Sequence, residues 1–158
     1  MTRTGEESAP VQIRVARASE HGRARAAYET WGYDGGVHPA DVVLVAEEGA
    51  EGGELVGVVR LTLEEGTRML RGMQVAPRAQ RRGIGTALLH ALVARLGDEP
   101  CYCVPYGHLL AFYGQAGFVE QLLERAPGFL VERIARYRGD GLAVTLMRRP
   151  GAGTPAEG

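Results

Sequence analysis

Between residues 67 and 97 the chain changes its hydrophobic period, and that change leaves few folds open. Thr67–Ala76 reads as a β-strand that Pro77 ends. An arginine-rich stretch follows. From Gly83 onward Ile84, Ala87, Leu88, Ala91, Leu92 and Leu96 recur every three or four positions, one face of an amphipathic helix that Gly97 stops. A strand feeding a helix through a short basic turn must belong to a layered α/β structure.

The flanking sequence extends this reading. Val11–Val15 alternates as a half-buried strand, and Ser19 offers a cap for a helix carrying Ala24, Ala27 and Tyr28. Thr30–Pro39 is too rich in glycine and aromatics for a regular element and reads as a loop. Asp41–Glu48 and Glu54–Leu63 flank the turn-forming Gly49–Gly53, and Glu64-Glu65-Gly66 makes a second tight connection, so three consecutive antiparallel strands are expected. Downstream come a short strand at Tyr102–Val104, a short helix at Leu109–Ala116 closed by Gly117, a strand at Phe118–Leu123, a helix from Pro127 to Arg138 and a closing strand at Leu142–Met147. The fold class is mixed α/β (α+β), a mostly antiparallel central sheet flanked by helices. One folded domain is expected over 11–149, with flexible tails at 1–10 and 150–158.

Composition narrows the function classes. Eighteen basic and nineteen acidic residues leave a formal charge of −1, which makes no bulk electrostatic case for a nucleic-acid or anionic-membrane partner. Every basic residue is arginine, so mechanisms that need a lysine amine are excluded. Cys101 and Cys103, two apart on a strand, point from one face and read as reduced, packed thiols. With no apolar leader and no run of membrane-spanning length, the expected location is the cytoplasm.

The chemistry concentrates between Val75 and Leu88. A Gly-x-Gly pair recurs at 83/85, 139/141 and 151/153, but only the first lies between a strand end and a helix start. There, free backbone N–H groups and the positive end of the helix dipole can receive an anion, and glycine lets a phosphate approach the main chain. Arg78, Arg81 and Arg82 add positive charge at the same mouth, and Thr86 adds a hydroxyl. Leu88 stands where a dinucleotide fingerprint needs a third glycine, and no Gly-Lys-Ser/Thr is present. The alternative is that Gly83 and Gly85 only permit tight helix–strand packing beneath a solvated arginine face.

These residues resemble the GNAT superfamily of N-acetyltransferases. Gln80-Arg81-Arg82-Gly83-Ile84-Gly85, preceded by Val75-Ala76-Pro77, matches the family's pyrophosphate loop, and Phe112-Tyr113 followed by Gly117-Phe118 matches its second signature about thirty residues on. The likeness covers residues 11–119 well and is loose beyond, where a helix precedes the last strand. It implies a GNAT-like fold and acetyl-CoA as co-substrate, with an amine-bearing acceptor and no metal. The site residues it implies are Met73, Gln74 and Val75 against the pantetheine arm and acetyl carbonyl, Arg78 and Gln80–Thr86 around the diphosphate, and Tyr113 as the acid that protonates the departing thiolate. A phenol with an ordinary pKa near 10 is protonated at neutral pH; the alternative places Tyr113 as a core aromatic.

Tyr106 stands where many members carry a cofactor-contacting asparagine, and Thr67–Ala76 holds no acid to serve as base. Glu64, Glu65, His38, His108 or a water chain remain open for that role. Trp31, Tyr33 and His38 form either an aromatic wall for an amine or a cover for the core. The acceptor is not readable from the residues. A non-catalytic acyl-CoA-binding module is the rival function, and base rate alone favours a homodimer.

Overall fold

The structure, a computed structural model, describes residues 10–151. In chain order it contains β1 (Val11–Val15), α1 (His21–Thr30), β2 (Val42–Glu48), β3 (Leu55–Glu64), β4 (Thr67–Val75), α2 (Ile84–Leu96), β5 (Cys101–Cys103), α3 (Leu110–Gly114), β6 (Val119–Glu120), α4 (Gly128–Gly139) and β7 (Met147–Arg149). The strands form one sheet of order β1-β2-β3-β4-β5-β7-β6. Pairing is antiparallel for β1 with β2, β5 with β7 and β6 with β7, and parallel for β4 with β5, where Met69 faces Tyr102. The mixed, mostly antiparallel sheet flanked by helices is the architecture that the sequence predicts. The expected tails at 1–10 and 150–158 fall outside the described residues apart from Pro10, Pro150 and Gly151.

Two compact units divide the chain: residues up to 60 with 72–91, and residues 61–71 with those from 92 onward. In the first, β2 is buried along nearly its whole length, which explains its unbroken apolar run. Val43 and Val45 pack with Ala24, Tyr28, Val37, Leu55 and Val58, and α1 lies over them. α2 crosses β3 closely at Gly57, where an added Cβ would stand 2.8 Å from Leu88 Cδ1 and 3.1 Å from Ile84 Cγ2, so a side chain there would force these two to shift. Ser19 does not cap α1; it sits inside a 3₁₀ turn, Ala18–Glu20, and the Glu20 carboxylate accepts the Arg17 N–H at 2.8 Å instead.

In the second unit, β3 turns into β4 through Glu65 and Gly66, both at positive φ, a two-residue turn of the type that twists with the strands. α4 seats Leu130 and Ile134 against Met69, Val144 and Leu146. The closing strand lies later than Leu142–Met147. Val144 and Leu146 sink into the α4 cluster, the Thr145 N–H turns to the Pro105 carbonyl, and regular pairing with β5 begins only at Met147, opposite Cys103. Both cysteines are buried and unbridged, and burial pushes the Cys101 thiol up to about 12. Among the described residues no helix is long and apolar enough to cross a membrane.

Candidate functional site

Residues 73–86 gather within the first unit. Pro77–Ala79 form a 3₁₀ turn at the end of β4, and the Ala76 N–H donates to the Val56 carbonyl at 2.8 Å, which fixes the exit of the chain on β3. Gln80 reaches back, its Nε2 donating to the Val75 carbonyl at 3.2 Å. Arg81 and Gly83 then adopt φ of +69° and +79°. Nothing lies within 4 Å of where a Gly83 Cβ would stand, so glycine is needed there for conformation and not for room. The two left-handed steps deliver the chain into α2. Ile84 is buried at its start while Gly85 and Thr86 remain partly exposed, so the first-turn N–H groups, which lack intrahelical partners, open at the end of β4.

The arginines are arranged differently from the expected cluster of fixed charges. Glu48, at the end of β2, accepts hydrogen bonds from Arg78 at 3.0 Å and from Arg82 at 3.2 Å, and Arg78 also pairs with Glu54 at 3.2 Å. The hydrogen bonds from Arg78 and Arg82 hold the Glu48 carboxyl below the usual carboxylate range. Glu48 is thus a neighbour of the turn that the sequence does not signal, thirty residues or more from the groups it holds. Pro10, Val11, Ile13, Arg82, Gly83, Ile84 and Ala87 line a cleft of about 310 Å³ beside the turn.

On β4, Met73, Gln74 and Val75 are half-buried. The strand outlasts its neighbour, since β5 ends at Cys103 while β4 runs on to Val75. Just before Met73, Gly72 has φ +66° and its carbonyl accepts the Tyr28 hydroxyl at 2.7 Å. Neither Tyr28 nor Gly72 was singled out by the sequence as part of the site. Trp31 and Tyr33 pack against the core beside α1, and His38 is tied into its own loop, Nδ1 accepting the Ala40 N–H at 3.0 Å.

Tyr113 lies in the second unit, buried on α3 with Phe112 at 4.9 Å and Phe118 at 6.1 Å between ring centroids, both edge-on. Gly117, at φ +96°, turns the chain from α3 toward β6. Tyr106 stacks on His108 at 6.0 Å. Among the open candidates for a base, Glu64 is the most constrained: burial raises its carboxyl, but the bonds from Thr62 and Arg133 and the charge of Arg71 outweigh it and leave the net shift downward. A carboxylate held this way is a weak proton acceptor. Among the described residues no cluster of three or more His, Cys, Asp or Glu could hold a metal ion.

Comparison with known proteins places this geometry. The model of the acetyltransferase (GNAT) domain family matches residues 39–120, just over half the chain and inclusive of both the turn and Tyr113. No curated protein sequence matches. Among solved structures the chain is similar to N-acetylglutamate synthase from Neisseria gonorrhoeae, in complex with coenzyme A and N-acetyl-glutamate, at 20% identity and TM-score 0.63 over 90% of this chain; it spans only 35% of that protein. It is also similar to the ribosomal-protein-S18-alanine N-acetyltransferase from Escherichia coli, at 16% identity and TM-score 0.64 over 94% of this chain and 98% of that one. At such identities the structural likeness carries the fold. With the family match covering both signatures, the chain belongs to the GNAT acetyltransferase family and is an acyl-CoA-dependent acetyltransferase.

Proposed function

We propose that the protein transfers the acetyl group of acetyl-CoA to a primary amine by direct attack, without a covalent enzyme intermediate. The observation that carries this reading is the opening of α2, where the left-handed Arg81 and Gly83 lead from β4 into a first helical turn, whose N–H groups lack intrahelical partners. The Arg81–Thr86 main chain holds the coenzyme's diphosphate, with Arg78, Arg81, Arg82 and Gln80 around it. Met73, Gln74 and Val75 offer strand main chain to the pantetheine arm, and a main-chain N–H there receives the charge that builds on the acetyl oxygen. Attack by the neutral amine forms the C–N bond and breaks the C–S bond; the amine surrenders a proton to a base or water, and the Tyr113 hydroxyl protonates the departing thiolate. The coenzyme A in the gonococcal synthase structure, and the amino groups on which that synthase and the Escherichia coli enzyme act, support both the co-substrate and the acceptor class.

The test is thiol release from acetyl-CoA over amino acids, polyamines, aminoglycosides and peptides with free amino termini. Turnover with at least one amine, falling about a hundredfold or more in Tyr113→Phe, is the expected outcome. Undiminished turnover in that variant overturns the acid assignment. Binding of CoA without turnover on any amine points instead to a non-catalytic acyl-CoA-binding module.

A further inference from the structure

Four side chains of the first unit, none of them in the family's two sequence signatures, form a buried polar chain that ends on β4. Asp41 accepts Arg60 Nη1 at 3.0 Å, with both side chains only 6% exposed. Arg60 Nε donates to the Tyr28 hydroxyl at 3.3 Å, and Nη2 reaches the Tyr33 hydroxyl at 3.5 Å. The Tyr28 hydroxyl donates in turn to the Gly72 carbonyl at 2.7 Å. Burial of Tyr28 drives its phenol well above the ordinary tyrosine value, which keeps the hydroxyl protonated and able to donate at neutral pH. Residue 72 has no alternative to glycine: φ is +66°, and an added Cβ would collide with the Tyr28 hydroxyl and stand 3.1 Å from Arg60 Nε.

The carbonyl of Gly72 and the N–H of Met73 belong to one peptide group. No cis peptide occurs among the described residues, so these two groups point in opposite directions from a common plane. A hydroxyl that grips the carbonyl therefore sets the direction of the N–H. Because hydrogen bonds in series polarise one another, the guanidinium behind the phenol also strengthens that N–H as a donor.

We propose that Tyr28, anchored by Arg60 and Asp41, is a positioning residue that aims the Met73 N–H at the acetyl carbonyl oxygen. This rests on the acetyl-CoA reading above. Tyr28 touches no reacting atom; it acts through the Gly72–Met73 peptide, and the left-handed glycine is what tilts that peptide into reach of the phenol.

The test uses acetyl-CoA labelled with ¹³C at the carbonyl, bound to the whole protein and read by isotope-edited infrared spectroscopy. In the unsubstituted protein the thioester carbonyl band lies below its position in water-excluded solvent, as a hydrogen-bonded carbonyl must. Tyr28→Phe, which removes one oxygen and keeps the ring, moves the band upward and lowers kcat about tenfold or more while Kd for CoA stays unchanged. Asp41→Asn, which loosens Arg60 and leaves the phenol, gives a smaller shift of the same sign and covers the case in which Tyr28→Phe is too unstable to measure. A band that stays in place in the variants overturns the positioning role and leaves the acetyl-CoA reading intact. A clearly raised Kd for CoA accompanying the band shift overturns it too, by making Tyr28 a general support. Failure of the unsubstituted protein to bind acetyl-CoA removes both readings.

Discussion

Gly72 and Gly83 share a left-handed φ for different reasons, and the difference predicts different outcomes. At Gly83 the space beside the α-carbon is open, so Gly83→Ala pays only the conformational penalty, about 1–2 kcal/mol. The variant folds with a lowered melting temperature and a weaker grip on CoA; an unchanged affinity in a titration would argue that the turn tolerates other backbone shapes. Glu48 makes a second prediction at this scale. Its carboxylate engages Arg78 and Arg82, so it opposes any anion placed at the turn. Glu48→Gln frees that charge and tightens CoA binding by about two- to threefold at low salt, an advantage that added salt erases. Weaker binding would mean that Glu48 serves chiefly to orient the arginines. The Gly83–Gly85 turn was legible from the sequence because its context lies within fifteen consecutive residues. Glu48 and the Tyr28–Arg60–Asp41 chain were not, because they meet the site only through long-range pairing that local spacing does not encode.

Elements whose period matches their burial were predicted well. α2 occupies the expected residues because one face is buried, with Ile84, Leu88, Leu92 and Leu96 along it, and β1 occupies Val11–Val15 as expected although Val11 and Ile13 are only half-buried and Val15 is exposed. The misplaced closing strand shows where this fails: Val144 and Leu146 are apolar because they complete the α4 cluster, and an apolar run of that length is equally consistent with pairing. The helix at 127–138 was predicted from its pattern without a role, and α4 supplies one. Leu130 and Ile134, both fully buried, close the core of the second unit, and Arg133 lies over the Phe129 ring while pairing with Glu64 at 2.5 Å. Leu130→Ala should therefore cost about 2–5 kcal/mol in urea denaturation. A loss below about 1 kcal/mol would place α4 outside the cooperative core.

Across the whole molecule, basic and acidic residues are nearly matched and all the basic ones are arginine, and the buried ion pairs make stability depend on carboxylates. Glu47 is fully buried. The hydrogen bond from Arg14, burial working against it, and the bond from Arg23 together lower its carboxyl to about 2, and Arg14 with the Arg17 N–H lowers Glu20 to about 2. Both folded values lie below the ordinary 4.5, so their contribution is present in full above that pH and is lost as pH falls from about 4.5 toward 2. Urea midpoints measured down this range should drop, and Glu47→Gln, destabilised throughout, should flatten the drop; an equal slope in the variant would assign the acid sensitivity elsewhere. The most direct test of the account is calorimetric titration of the protein with CoA alone, because the amides opening α2 are assigned to its diphosphate. A single saturable site, weakened in Gly83→Ala and raising the melting temperature as CoA is added, is the predicted result. The absence of heat and of any thermal shift at millimolar CoA would contradict it.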